Sequence, residues 1–129
     1  MAVMQSRDNR TFIAGEDLSA AQFKFVTLES DGQIDLADAD AENCIGVCIV
    51  GAAAGAAATV TVSGKTMVTA GGTIDAGEAI VTDASGDAVA LTDSSSATAI
   101  TMGYALEAGV DGQIIAIELI QGGNASDQS

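Results

Sequence analysis

Residues 44–64, CIGVCIVGAAAGAAATVTVSG, decide the reading of this chain because a second stretch repeats their punctuation: MGYALEAGVDGQIIAIELI, at 102–120. At an offset of 57 residues Gly46 falls on Gly103, Gly55 on Gly112, Val60 on Ile117 and Val62 on Leu119. Each copy is an apolar run opened by glycine, then a small-residue loop, then a second apolar run rich in β-branched residues. Moving toward the N-terminus, Gly32 answers to Gly86 and the alternating pair Ile34/Leu36 to Val89/Leu91, at a slightly shorter offset. A three-residue insertion within residues 94–96 would cause that drift. Self-similarity at a fixed period signals repeated architecture, but two copies of about fifty residues are too few for a solenoid. The expectation is one domain made of two related β halves.

Around these stretches the chain alternates short apolar runs with glycine turns. Residues 23–28 alternate with Phe23 and Phe25 on one face. Ser30-Asp31-Gly32 is a hairpin-type turn, and residues 33–37 return with Ile34 and Leu36 on one side. Residues 44–50 are apolar on both faces, as a strand buried between layers would be. Ser63-Gly64 reads as a further turn, after which 65–69 pairs back; 78–82, 88–92, 100–106 and 113–121 complete the strands. Such runs, closely and evenly spaced, predict an all-β fold: an antiparallel β-sandwich or small barrel from two related halves, with an extended N-terminal arm. The divisions expected are the arm at 1–13, a single β domain at 14–121 and a flexible C-terminal tail at 122–129. The first thirteen residues, MAVMQSRDNRTFI, are open to two readings. Either they are a frayed terminus, or Thr11-Phe12-Ile13 pair as a strand and keep two adjacent apolar groups from water.

Composition narrows the function. The chain has 129 residues with 4 basic against 18 acidic, a net charge of −14 and no histidine. A surface so acidic repels phosphate backbones and anionic lipid headgroups, so neither nucleic acid nor membrane is expected as a partner. Arg7 and Arg10 both lie in the arm, and only Lys24 and Lys65 follow. Three Phe, one Tyr and no Trp make a core of Val, Ile, Leu and Ala, thin in aromatic area. Contacts with a partner subunit would compensate, so a multimer is expected. The small residues Ala52, Ala53, Ala54 and Gly55 suit close approach of another backbone and are the candidate subunit interface. Proline is absent, so sheet edges must be guarded by charge, bulges or partners. No apolar run reaches the length of a membrane span and no signal peptide opens the sequence, which makes a cytoplasm the expected place of synthesis.

Motifs of active chemistry come close and stop short. Ser63-Gly64-Lys65-Thr66 resembles the end of a phosphate-binding loop, but its first glycine position holds Thr59. Asp38, Asp40 and Glu42 have calcium-loop spacing, yet Asn43 stands at the required glycine and Ile49 at the bidentate glutamate. Cys44 and Cys48 would share a strand face about 13 Å apart, beyond disulfide reach. They lack the companions of a metal site, so small buried apolar residues are the expectation. Lys65 in a turn, with GEAIVTDASGD downstream, loosely resembles the lysine hairpin of lipoyl and biotinyl carrier domains, without the Met or acidic neighbour found there. With no histidine and no basic sequence neighbour to lower a thiol pKa, the chain is read as a binder, not an enzyme, and no cofactor or metal is expected.

From Gly15 to Gln121 the chain resembles the capsid cement, or head decoration, proteins of tailed bacteriophages. The residues that carry this are Gly15-Glu16-Asp17-Leu18, Phe25-Val26-Thr27-Leu28 followed by Asp31-Gly32, and Cys44-Ile45-Gly46-Val47. Further on come Val60-Thr61-Val62-Ser63-Gly64, Ile74-Asp75-Ala76-Gly77-Glu78, Ala84-Ser85-Gly86 and Met102-Gly103-Tyr104-Ala105-Leu106-Glu107. The resemblance implies a β-rich virion protein, commonly a homotrimer, on the outer surface of the capsid over local threefold junctions of the major capsid protein. There it would cement the lattice against the pressure of packaged DNA, with no catalytic residues. Arg7, Arg10, Thr11, Phe12 and Ile13 are the candidate capsid-binding residues: the arm would add a strand, or an anchored segment, to a sheet edge of the capsid protein. A tail or fibre protein is the alternative virion location, and a carrier domain using Lys65 the alternative class.

Overall fold

The computed structural model describes residues 5–94 and 98–127. These form β1 (Gln5–Ile13), β2 (Lys24–Leu28), β3 (Ile34–Leu36), β4 (Gly46–Val50), β5 (Ala57–Thr69), β6 (Ala79–Thr82), β7 (Ala88–Ala90), β8 (Thr98–Ala105) and β9 (Ile114–Asp127). One turn of 3₁₀ helix, Leu91–Asp93, follows β7. The strands make one curled antiparallel sheet, a half-barrel, in the order β3-β2-β4-β5-β9-β8-β6-β7, with β1 also paired to β5.

That order is the same sequence of strands read inward from each end. Three strands, hairpin first, lead to β5 from one side; three more, in matching order, lead to β9 from the other. The registers match residue for residue. Val47 opposes Thr61 and Cys48 opposes Val60 in the first half; Tyr104 opposes Glu118 and Ala105 opposes Ile117 in the second. All four shifts are 57 residues. The turn at residues 53–56, closed by Ala56 N–H to Ala53 O, recurs at 110–113 as Gln113 N–H to Val110 O. Gly55 (φ 85°) and Gly112 (φ 90°) hold its third position, where the left-handed backbone favours glycine. Parallel bridges Ala14 to Ile34 and Ala70 to Ala88 are a further matched pair.

Two expectations shift by small amounts. In the β2–β3 hairpin Leu36 opposes Val26 and Ile34 opposes Leu28; in β6–β7 Ala90 opposes Ile80 and Ala88 opposes Thr82. The counterparts of Ile34 and Leu36 are therefore Ala88 and Ala90, not Val89 and Leu91. A one-residue slip turns a strand over, and Ala88 is buried like Ile34 while Val89 is on the other, half-buried face. Secondly, no turn falls at Ser63-Gly64. β5 runs through, and Gly64 (φ 96°) pairs with Ser6 on one side and Leu119 on the other. Glycine here serves a bulge: the β1–β5 register shifts between Ser6 and Asp8 and again between Asp8 and Asn9.

β5 is consequently shared by the halves. Val60 and Thr61 pair with both β1 and β4, so those strands lie on opposite edges of β5. Gly64 and Lys65 pair with both β1 and β9, which puts β9 on the β4 edge. By the same correspondence β1 is to β5 what the second half of β5 is to β9: Ile13 opposes Ala57 as Thr69 opposes Ile114. β9 continues to Asp127, paired with β8 through Thr98 to Asp127, across most of the stretch expected as a tail. Backbone pairing there needs no apolar signal in the sequence.

The core divides into two large clusters and a small third one of Ala41, Val81 and Ala99. One large cluster lies in the first half around Leu18, Val26, Ile34, Cys48, Val60 and Val62. The other is built on the second half (Val68, Ile74, Ile80, Met102, Ile115, Ile117, Leu119) but takes in Phe25, Cys44 and Val47 from the first. Phe25 is fully buried there, an aromatic from one half seated in the core of the other.

Candidate functional site

The arm lies down as β1, antiparallel on β5 from Gln5 opposite Lys65 to Ile13 opposite Ala57. Arg7 falls at the first register shift; from Asn9 onward the pairing is regular. Arg10 and Thr11 are exposed, and Ile13 is 41% exposed. Phe12 is half-buried against the first-half core, so its ring serves the fold. Asn9 is tied in as well, its Oδ1 accepting from Thr61 Oγ1 at 2.9 Å. No described strand other than β5 pairs along β1 itself, but just past its end the Ala14–Ile34 bridge, with Gly15 N–H donating to Ile34 O, brings β3 against the second edge; among the described residues that edge is open only ahead of this bridge.

The alanine loop begins where that strand ends. Ala14 N–H donates to Ala56 O and Gly55 N–H to Ala14 O, both within 2.9 Å. Ala52 is half-buried, packs on the first-half core and accepts from Leu18 N–H. Ala53, Ala54 and Gly55 are exposed, as are Ala56, Ala57 and, at 56%, Val50. Arm and loop, read separately in the sequence, are thus joined where Ile13 faces Ala57, within a stretch (43–64) that carries no charge. Val50 and Ala57 were not singled out from sequence; only the pairing of β1 on β5 associates Ala57 with the arm. The matching position of the second half carries Leu106, Val110 and Ile114, each about half exposed.

The motifs weighed for chemistry resolve structurally. Lys65 lies in mid-strand between Gln5 and Glu118, not at a hairpin tip, so the carrier-domain geometry is missing. Ser63-Gly64-Lys65-Thr66 is strand without a following helix, and Thr66 is buried with its Oγ1 unpartnered. The acidic loop straps the halves together: Ala41 N–H donates to Thr82 O at 2.8 Å, Ile100 N–H to Ala41 O at 3.0 Å and Ser94 Oγ to Asp40 Oδ2 at 3.0 Å. Burial, then the neighbouring Asp38, raises the Glu42 carboxyl. Cys44 and Cys48 are free, buried and in different core clusters, and burial pushes both thiols up, away from the thiolate that nucleophilic chemistry needs. Among the described residues no three His, Cys, Asp or Glu side chains are grouped to hold a metal ion.

A second acidic group surrounds the β2–β3 hairpin. Burial first, then Glu16, Glu29, Asp31 and Asp38, raises Asp35. Its Oδ1 is enclosed without a hydrogen-bond partner although the residue as a whole is partly exposed.

Comparison with known proteins agrees with this architecture. No curated protein matches the chain. Among solved structures it is similar to the N base of head fiber gp8.5 of bacteriophage phi29, at 20% identity and a TM-score of 0.67, covering 88% of this chain and 93% of that one. At that identity the likeness speaks for the fold. The sequence model for phage cement proteins matches residues 4–119. With nearly its whole length matched, the chain belongs to the phage cement protein family and is a structural protein of the phage virion.

Proposed function

We propose that the protein binds the outer surface of the phage head and cements the major capsid protein lattice through the open edge of β1 and the uncharged face beside it. The observation that carries this reading is the continuity of those two features at Ile13 and Ala57. Backbone groups on an unpaired edge accept an extended segment of another chain, and flanking side chains select it. From Asn9 to Phe12 the strand is free of register shifts and lies ahead of the Ala14–Ile34 bridge, so a capsid segment can pair there without distortion. Ile13 buries apolar area beside it, Thr11 borders it, and Arg10 adds positive charge on the same strand. Each contact is modest; many copies on one lattice add by avidity. A net charge of −14 favours the outside of a head whose inside holds DNA. The sequence reading gave Ala52–Ala54 and Gly55 to a subunit contact; their place beside β1 favours the shell instead. Self-association, a homotrimer by the family resemblance, completes the proposal.

Removing residues 1–13 would also strip Phe12 from the core, so point changes test the idea better. Ile13→Asp and Ala54→Asp leave the core intact and should each cut retention on expanded heads by about tenfold or more, a contact of about 1.4 kcal/mol. Undiminished retention of both variants overturns the assignment.

A further inference from the structure

We propose that copies of this chain meet head to tail by repeating, between molecules, the contact that already joins its two halves. Within the chain the β6–β7 turn of the second half docks on β2 of the first. Phe25 N–H donates to Gly86 O at 2.7 Å, and Lys24 Nζ meets Asp87 Oδ1 at 2.6 Å. A side chain at Gly86 would collide with Leu36, the Phe25 carbonyl and Lys24. The docked turn has a counterpart 54 residues earlier, the β2–β3 turn, built with the same bonds. Gly32 N–H donates to Glu29 O and Glu29 N–H to Gln33 O, as Gly86 N–H does to Asp83 O and Asp83 N–H to Asp87 O. Both glycines are left-handed, at φ 84° and 80°.

The two turns differ in what covers them. Gly86 is buried, whereas nothing lies within 4 Å of a side chain built at Gly32. Thr82, on the docked hairpin, is fully buried; its counterpart Leu28 is 48% exposed, a large apolar group facing water. The first half therefore presents, uncovered, the surface that the second half buries. On the receiving side, Lys24, Phe25 and Leu36 correspond to Glu78, Ala79 and Ala90. Glu78 and Ala79 are only half-buried. The occupant that fits a bare β2–β3 turn is the β6 side of a second copy, because the same fold already makes that contact once. Such an interface is heterologous, each copy using two different surfaces. Gln33 stands where Asp87 forms its ion pair and Glu78 where Lys24 does, so the contact between molecules lacks the salt bridge and is weaker than the internal one.

This inference deepens the self-association in the proposed function and is independent of shell binding, so the two are measured apart. The full chain in solution should show a mass that rises with concentration in sedimentation. Leu28→Glu, at an exposed position, should keep the melting temperature while weakening association at least tenfold. Ala54→Asp should associate like the wild type although it loses shell retention. Gln33→Cys and Glu78→Cys chains, mixed and oxidised, should give a disulfide-linked dimer that neither yields alone. A wild type monomeric at every concentration, Leu28→Glu association equal to wild type, or a mixture that fails to cross-link would each overturn the proposal.

Discussion

Gly46 and Gly103 stand at matching points of β4 and β8, and each brings its α-carbon against a neighbouring strand's carbonyl. A methyl group at Gly46 would overlap the oxygen of Thr61, and one at Gly103 that of Glu118. The obstacle is backbone paired on its other side, so it cannot swing away. Gly46→Ala and Gly103→Ala should each lower unfolding free energy by about 1–3 kcal/mol, read from denaturant midpoints. Asp35 makes a different demand. Its carboxyl is raised in the fold above the ordinary 3.8, by burial first and surrounding carboxylates second. The neutral form is thus favoured on folding: the group supports the fold below its unfolded pKa, and that support is lost as pH rises through the higher folded value. Asp35→Asn should melt above the wild type at neutral pH, and the difference should vanish in acid below the ordinary aspartate range.

At the scale of elements, glycine-centred signals were legible in the sequence because a positive φ or a close approach restricts residue choice. The Gly46/Gly103 and Gly55/Gly112 correspondences hold to the residue, and with them the registers of β4 on β5 and β8 on β9. Between glycines the reading slips by one residue: Gly32 and Gly86 match, but just beyond them Val89 and Leu91 give the stronger apolar alternation, although the pairing makes the buried Ala88 and Ala90 the counterparts. Ser63-Gly64 misled for the opposite reason, since a bulge and a turn ask for the same residue. Phe23 hides the repeat altogether. It holds φ 64° where the second half has Gly77 at 88°, and the two N–H groups make matched bonds, to Cys48 O and Ala105 O. Of the candidate site, the arm and the alanine loop were legible as unusual composition. That they share one face was not, because sequence separation conceals the pairing of Ile13 with Ala57.

Over the whole molecule, the halves resemble two domains in sequence but not in energetics. Phe25 belongs to the second core by contact and to the first half by chain, and β5 completes both. Unfolding by calorimetry should therefore show one transition, with equal calorimetric and van't Hoff enthalpies. Phe25→Ala should cost about 3–5 kcal/mol and still leave a single transition. Two separated peaks would mean that the halves melt independently.

The shared strand also fixes how the protein carries load. β1 and β9 run in the same direction, antiparallel to β5 and on opposite edges of it at Gly64 and Lys65. Tension applied through the two chain ends draws β1 one way along β5 and β9 the other. The hydrogen bonds are then strained side by side, sliding in shear instead of parting in succession like a zip. A tie loaded in this way yields all at once or not at all, which is the behaviour that the proposed cementing role would ask of it.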